Sequence, residues 1–284
     1  LIMKSKNGGV NHLPVVLTPS PLVKSMYDKI FFYQIAFNKI INKLSNDQKF
    51  LEEVLTPIAE SDSFIKKNLE ISKKVVNYEH KQNIKLGIFR NDYIYDNIQN
   101  FLLLTEYNTI APTMATFTDK IKKFYTYFSK KYPDNFLKNK DKTEILTENF
   151  DNVEKFTESI VEAIKLGFPQ NYKQSIIVFV VQKVELNIFD QYSISNELYD
   201  KHEIISKRRA FSEIKKNCTQ DEQGNLLIDG KIISLFYFRA GYEESDYPDE
   251  ESWQGRELIE LSTAIKVPDI NTFLANFKVF QYYL

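Results

Sequence analysis

The chain has 284 residues, 43% apolar and 26% charged, which is an ordinary globular composition with length enough for a sizeable core. Its 37 Lys+Arg balance 38 Asp+Glu with no block of five like charges, arguing against nucleic-acid wrapping or docking on an acidic membrane. Only 8 residues are glycine, and none is spaced as GxGxxG or GxxxxGK[ST], so a self-contained glycine-rich phosphate cradle is excluded.

Residues 1–23 read as a loop holding Gly8-Gly9, Pro14, Pro19 and Pro21. Pro21 opens a helix with Ser20 as its N-cap, and Met26, Ile30, Tyr33, Phe37, Ile40 and Leu44 recur at helical spacing. Helices over 47–55 and 63–78 continue this block, whose apolar stripes are core. Strands over 85–89 and 101–110 follow, separated by a loop carrying Arg90, Asp92 and Tyr93. Next come a helix over 115–131, a lysine-rich polar loop to about Lys142 and a helix over 153–166. After Gly167-Phe168-Pro169 the pattern changes. The apolar run 176–181 reads as a strand buried on both faces. A loop holding 185–191, a helix over 193–201 and a strand near 203–206 complete a βαβ unit. Asp229-Gly230 is a two-residue hairpin turn between strands 226–228 and 231–238. A helix over 250–265 precedes Pro268, and 271–284 is a further helical candidate. The change of pattern sets a boundary near residue 170.

Other residues narrow the chemistry. The single Cys218 excludes an internal disulfide framework and fits a reducing compartment. No histidine stands near it in sequence, so it reads as an inert loop thiol. His12, His80 and His202 lack metal-ligand spacing. The 176–181 run is far short of the ~20 residues that span a bilayer, and no signal peptide is visible, although Leu1 is not an initiator. A soluble, cytosolic protein is expected. Arginine is scarce, with 5 against 32 lysines, and its planar fork suits carboxylate or phosphate in a way lysine cannot copy. Surface salt bridging accounts for about three of the five on this reading. Lys207-Arg208-Arg209 reads as a solvated strand edge.

Three places could carry chemistry. On strand 101–110, Leu102 and Leu104 share a face with Glu106 and Asn108, so one side turns from apolar to polar. A carboxylate and an amide oxygen together suit a hard cation such as Mg²⁺, or are a solvated strand end. Residues 185–191 follow a buried strand and precede a helix, where open α/β sheets bind ligands, though Asp190 or Asn187 could simply cap that helix. Arg90 and Arg239, the latter beside Tyr242, could each clamp a carboxylate bidentately.

Taken in order, Leu17-Thr18-Pro19-Ser20, Arg90 to Tyr93, Glu106-Tyr107-Asn108-Thr109-Ile110, Asn187-Ile188-Phe189-Asp190-Gln191, Tyr237-Phe238-Arg239-x-Gly241-Tyr242 and Pro268-Asp269-Ile270 with Lys278 resemble eukaryotic glutathione synthetase. The resemblance implies an ATP-grasp ligase that joins γ-glutamylcysteine to glycine. ATP phosphorylates the dipeptide's terminal carboxylate, glycine's amine displaces phosphate from the acyl phosphate, and Mg²⁺ bridges the phosphates. By position, Glu106 and Asn108 resemble the magnesium ligands and lie near ATP, and Lys278 resembles an ATP-phosphate lysine. Arg90, the catalytic candidate, joins Ile110, Ala111, Pro112, Thr113, Glu185, Leu186, Asn187, Gln191, Arg239, Ala240, Gly241 and Tyr242 in the dipeptide pocket. The chain departs from the family pattern at Ala111-Pro112-Thr113, where Ser-x-Ser is usual, and at Leu186, Ala240 and Val279.

The implied fold is mixed α/β. Residues 1–170 would form the helical and strand N-terminal part of an ATP-grasp unit, and 171–284 a smaller Rossmann-like substrate-binding domain. A cytoplasmic homodimer is implied. The resemblance starts inside the family pattern and stops after Lys278, before the half carrying the glycine-rich lid, further nucleotide lysines, another magnesium carboxylate and a substrate arginine. The expectation is therefore a large N-terminal portion of a glutathione synthetase, competent only with the rest. The rivals are a non-catalytic binder of γ-glutamyl peptides or dimer partner, and a ligase with a different acceptor amine. The glycine shortage then excludes a complete ATP site in these residues, and not an ATP-dependent enzyme.

Overall fold

Two short strands, β1 (Ile2–Lys4) and β2 (Val10–His12), pair antiparallel ahead of helices α1 (Lys24–Ser45), α2 (Gln48–Ala59) and α3 (Ser63–Val76). Then come a second hairpin, β3 (Arg90–Asp96) and β4 (Phe101–Asn108), and helices α4 (Ala115–Lys131), α5 (Pro133–Phe136) and α6 (Asn152–Gly167). The rest alternates as β5 (Ile176–Val180), α7 (Ile188–His202), β6 (Ile205–Arg209), α8 (Phe211–Asn217), β7 (Thr219–Gln220), β8 (Leu226–Ile228), β9 (Lys231–Phe238), α9 (Glu250–Glu260), β10 (Ile265–Val267) and α10 (Ile270–Leu274), with a 3₁₀ turn at Lys278–Tyr282. The computed structural model describes residues 2–5, 7–19, 24–79, 82–96, 98–99, 101–136 and 151–283. Ser20, Pro21, His80 and the lysine-rich stretch from 137 lie outside the described residues.

The centre is a parallel array in the order β6-β5-β9-β10, extended at the start of β9 by the antiparallel β8 and β7. Every residue of β5 is buried, because both faces of the strand are covered. Side-chain alternation divides the core into two layers. Ile176, Val178 and Val180 join Phe236 and Phe238 against α2, α3, α8, α9 and α10. Ile177, Phe179 and Val181 join Leu235, Tyr237, Ile265 and Val267 against α6 and α7. The sheet thus has helices on both faces, an α/β architecture. Asp47 and Asp62 open α2 and α3 by accepting from the Phe50 and Ile65 amides at 3.0 and 2.9 Å. At the hairpin turn, Asp229 and Gly230 both have positive φ, 51° and 72°, as a primed two-residue turn requires.

Several sequence expectations need correction. Residues 85–89 are not a strand. Ile84, Leu86 and Ile88 pack on the second core layer at period two, but the segment has no ladder partner among the described residues. The strand lies one step later, at Arg90–Asp96, so Arg90, Asp92 and Tyr93 are ladder residues of β3 and not a loop. Helix α7 begins at Ile188, which places Asp190 and Gln191 in its first turn. The helix expected over 250–265 ends at Glu260, because Ile265–Val267 is taken by β9 as a parallel partner. The strand near 203–206 sits at Ile205–Arg209, so Arg208 and Arg209 belong to β6 itself.

Candidate active site

The sheet changes direction of winding between β5 and β9. From β5 the chain crosses through α7 to β6 on one side, and β9 then lies on the other side of β5. The carboxyl ends of β5 and β9 therefore flank a crevice with loops on both sides, the usual ligand position in such sheets. Gln182 to Asn187 follow β5, and Arg239 to Tyr242 follow β9. Two adjoining clefts open there. One of about 390 Å³ is lined by Lys4, Gln182, Glu185, Arg208 and Glu213 among others. The other, of about 260 Å³, lies between Ala210, Ala240, Glu243 and Asp246.

Arg239 is 4% exposed. Its Nη1 donates to the carbonyl oxygens of Ala111 and Pro112 at 2.8 and 2.7 Å, and the Tyr237 hydroxyl donates to Pro112 at 2.8 Å. Residues 110–113 are thereby strapped across the end of β9. Ala111 has a φ of 51°, a conformation with a steric cost that these bonds offset. Asp190 holds the far end of the strap. Its buried carboxylate accepts from the amides of Met114 and Thr116 at 3.3 and 3.1 Å, and so caps α4. Asn187 stands at the N-cap of α7 without a side-chain capping bond. Neither residue serves as the side-chain cap of α7 itself, the structural role that the sequence had left open.

Three buried polar atoms in this region have no hydrogen-bond partner: Arg239 Nε, Gln191 Nε2 and Asn187 Oδ1. Unpaired buried polar groups are costly, and a ligand that reached them would complete their bonding. Two are donors and one is an acceptor, so the complement is a group that both accepts and donates. Gly241 has a φ of 105°, and its amide donates to Asp246 at 2.7 Å. A Cβ there would lie 2.9 Å from both the Phe211 ring and the Tyr247 hydroxyl, so glycine is required. Burial raises the Asp246 pKa even though the carboxylate also accepts from Gln182 and the Tyr242 amide.

A second cluster sits on the β3–β4 hairpin. In the ladder Arg90 is opposite Asn108, and Asp92 opposite Glu106. Arg90 grips Asp92 through Nε and Nη2 at 2.8 and 2.9 Å, and this bond holds the Asp92 carboxyl below its usual range. Glu106 is 4.0 Å from both Arg90 and the Lys278 ammonium. Lys278 comes here because β4 is tied to the chain after α10: Tyr107 donates to the Ala275 carbonyl at 2.7 Å and the Thr109 amide to Asn276 at 2.8 Å. Asn108 donates its amide to Glu106 at 3.3 Å, which turns its carbonyl oxygen away from that carboxylate. Among the described residues no group of three or more His, Cys, Asp or Glu side chains is placed to hold a metal. Glu106 offers a hard carboxylate oxygen, and Asn108 would offer its own beside it only with its amide turned over.

The expected residues thus fall into two groups joined by the few residues from Glu106 to Thr113. Arg90, Glu106, Asn108 and Lys278 form one. Ile110 to Thr113, Glu185 to Asn187, Gln191 and Arg239 to Tyr242 form the other. Sequence reasoning missed Asp92, whose i+2 relation to Arg90 would have shown had 90–96 been read as a strand. It also missed Arg208. Far from a solvated edge, Arg208 is half-buried and donates to the Gln191 carbonyl oxygen, while Lys207 pairs with Asp229. Arg256 is fully buried on Glu260 at 2.9 Å, so surface salt bridging does not describe this arginine, whereas Arg90 and Asp92 form a part-exposed pair. Cys218 is half-buried, and burial pushes its thiol up to about 11, which makes it a poor nucleophile.

The family model for eukaryotic glutathione synthase matches residues 175–275. The chloroplastic glutathione synthetase of Solanum lycopersicum is 31% identical over 95% of this chain and 48% of its own length. The glutathione synthetase of Dictyostelium discoideum is 32% identical over 98% and 59%, and that of Homo sapiens 29% over 96% and 56%. The chain spans about half the length of the curated relatives it matches. Among solved structures, a glutathione synthetase-like effector from Globodera pallida in its apo form superposes with a TM-score of 0.77 at 17% identity. It covers 98% of this chain and 60% of the other, and shows a common fold. No helix among the described residues is long and apolar enough to cross a membrane.

Proposed function

We propose, from a chain that aligns over nearly its whole length with about half the length of curated glutathione synthetases, that these residues carry the dipeptide pocket and one wall of the nucleotide site of an ATP-dependent ligase making glutathione from γ-glutamylcysteine and glycine. The observation that carries this reading is the set of unpartnered buried atoms on Arg239, Gln191 and Asn187, in residues that follow or flank β5 and β9, which a bound zwitterionic peptide would complete. Glu185 supplies a carboxylate for the peptide's ammonium. Arg239 meets its carboxylate, and the strap at Ile110 to Thr113 lines its flank, with Leu186, Ala240, Gly241 and Tyr242 bounding the rest. Arg90, held by Asp92, is assigned to the carboxylate to be activated.

Glu106 and Asn108 would hold Mg²⁺ and Lys278 a phosphate of ATP. The metal's contribution, when bound, is neutralisation of charge on the phosphates. Activation of the carboxylate as an acyl phosphate is followed by attack of glycine's amine and loss of phosphate. Residues 1–170 supply the helical and hairpin part of the ATP-grasp unit and 171–284 the substrate-binding part. A cytoplasmic homodimer completes the proposal, and the remaining half of the relatives' length is needed for turnover.

Isothermal titration of the purified chain with γ-glutamylcysteine tests the pocket, and ADP release with ATP, Mg²⁺ and glycine tests the chemistry. Dipeptide binding without ADP formation is expected of residues 1–284. Absence of binding overturns the pocket, and full turnover overturns the need for a further half. A longer form that binds the dipeptide yet makes no ADP would favour a non-catalytic γ-glutamyl-peptide binder.

A further inference from the structure

Gln191 is completely buried in the first turns of α7. A primary amide has one accepting and one donating end of nearly equal size, so a pocket that uses it must decide which end faces the ligand. Here the decision is made by Arg208. Its Nη1 lies 2.5 Å from Gln191 Oε1. A guanidinium only donates, so the amide oxygen is committed to it and the NH₂ end is turned away. That NH₂ is the buried donor without a partner.

Arg208 is well fixed for this task. It lies on β6 opposite Phe179 of β5, and its guanidinium carbon stands 5.3 Å from the centre of the Tyr192 ring. Its side chain borders the 390 Å³ cleft with Glu185. Burial depresses its pKa, Glu185 offsets part of that loss, and Arg239 is near enough to repel it.

We propose that Arg208 is a positioning residue of this pocket, acting through Gln191: it holds the amide so that its NH₂ donor, and not its oxygen, meets the ligand. The inference rests on the reading of the crevice as a dipeptide pocket. It assigns the pocket's selectivity for an accepting group to a residue that need not touch the ligand. Glutamate at position 191 would keep the bond to Arg208 but present a second acceptor, and so repel a carboxylate.

A double-mutant cycle tests this, with γ-glutamylcysteine as the titrant. Arg208→Met removes the donor at similar length. Affinity is expected to fall about tenfold, the worth of one oriented hydrogen bond, and Arg208→Lys to recover part of it. In a Gln191→Ala background the same Arg208→Met change should alter affinity by less than about twofold, because nothing is left to orient. An equal loss in both backgrounds, or no loss in either, overturns the proposal. A wild-type chain that binds no γ-glutamylcysteine would instead sink the pocket reading. The orientation then remains readable from the Gln191 side-chain NH₂ resonances, identified by their disappearance in Gln191→Ala. Arg208→Lys should leave them in place and Arg208→Met should shift or broaden them. Unchanged resonances in Arg208→Met would refute the assignment.

Discussion

Four of the five arginines, set among 32 lysines, carry much of what is specific in this molecule. Arg90 uses two nitrogens on Asp92, Arg208 fixes Gln191, Arg239 holds two carbonyls and Arg256 lies buried on Glu260. Only the Arg90 bond uses the two-nitrogen fork that lysine cannot copy; the other three act through a single guanidinium nitrogen. Arg239 gives the sharpest prediction. On the proposed reading, in which Arg239 pairs with the peptide's carboxylate, Arg239→Ala should weaken γ-glutamylcysteine binding by about 2–5 kcal/mol. It also frees the carbonyls of Ala111 and Pro112, so thermal unfolding without ligand must be measured beside the titration. A variant with wild-type affinity would remove Arg239 from the pocket, whatever its effect on the strap. The place of Arg239 and Tyr242 just past β9 was legible in the sequence. The strap was not, because bonds to carbonyl oxygens leave no mark on the identity of the residues that own them.

Elements show where sequence patterns suffice and where they fail. The five-residue apolar run of β5 and the Asp229-Gly230 turn carry their structure locally, and both were readable. β10 was not. Its three residues continue the apolar spacing of α9, and only the exposed ladder edge of β9 converts them to strand. β3 is polar enough to read as loop, and its pairing with β4 decides otherwise. The crossing of α8 and α9 depends on one residue. A Cβ on Gly255 would stand 2.1 Å from the Phe211 carbonyl oxygen, where only a backbone shift could make room. Gly255→Ala gains up to ~1 kcal/mol of helix propensity, but overpacking of this kind costs ~1–3 kcal/mol. Net destabilisation is expected in urea unfolding, with the Ala210–Phe211 turn displaced. A variant as stable as wild type would show that the two helices can separate freely. Because Phe211 also borders the smaller cleft, the crossing sets part of the site's wall.

At the scale of the whole molecule, the helices before residue 170 and the sheet after it share one core layer, and a group of buried charges lies within it. Arg256 and Glu260 form an ion pair on α9, with the guanidinium 4.1 Å from the Phe238 ring centre. Lys266, on the face of β10 opposite Ile265 and Val267, donates to the Ser262 carbonyl at 2.6 Å. Glu260 and Asp269 favour its charge and Arg256 opposes it, but burial dominates and pushes the ammonium down to about 8 from its ordinary 10.5. Between those values the folded protein binds fewer protons at this site than the unfolded chain, so stability rises as pH rises through the window. Cys218 acts in the opposite sense, since burial holds its thiol at about 11 against an ordinary 9.0. Comparing wild type with Lys266→Met cancels the cysteine and isolates the lysine. Across pH 7 to 10, the unfolding free energy of wild type should climb by about 2–3 kcal/mol relative to the variant. Denaturant titrations at half-unit steps measure it. A difference that stays flat would mean that Glu260 and Asp269 fully compensate the buried amine. The same comparison would then place the cost of the charged layer on the Arg256–Glu260 pair alone, where removal of one partner should be far more damaging than replacement of both.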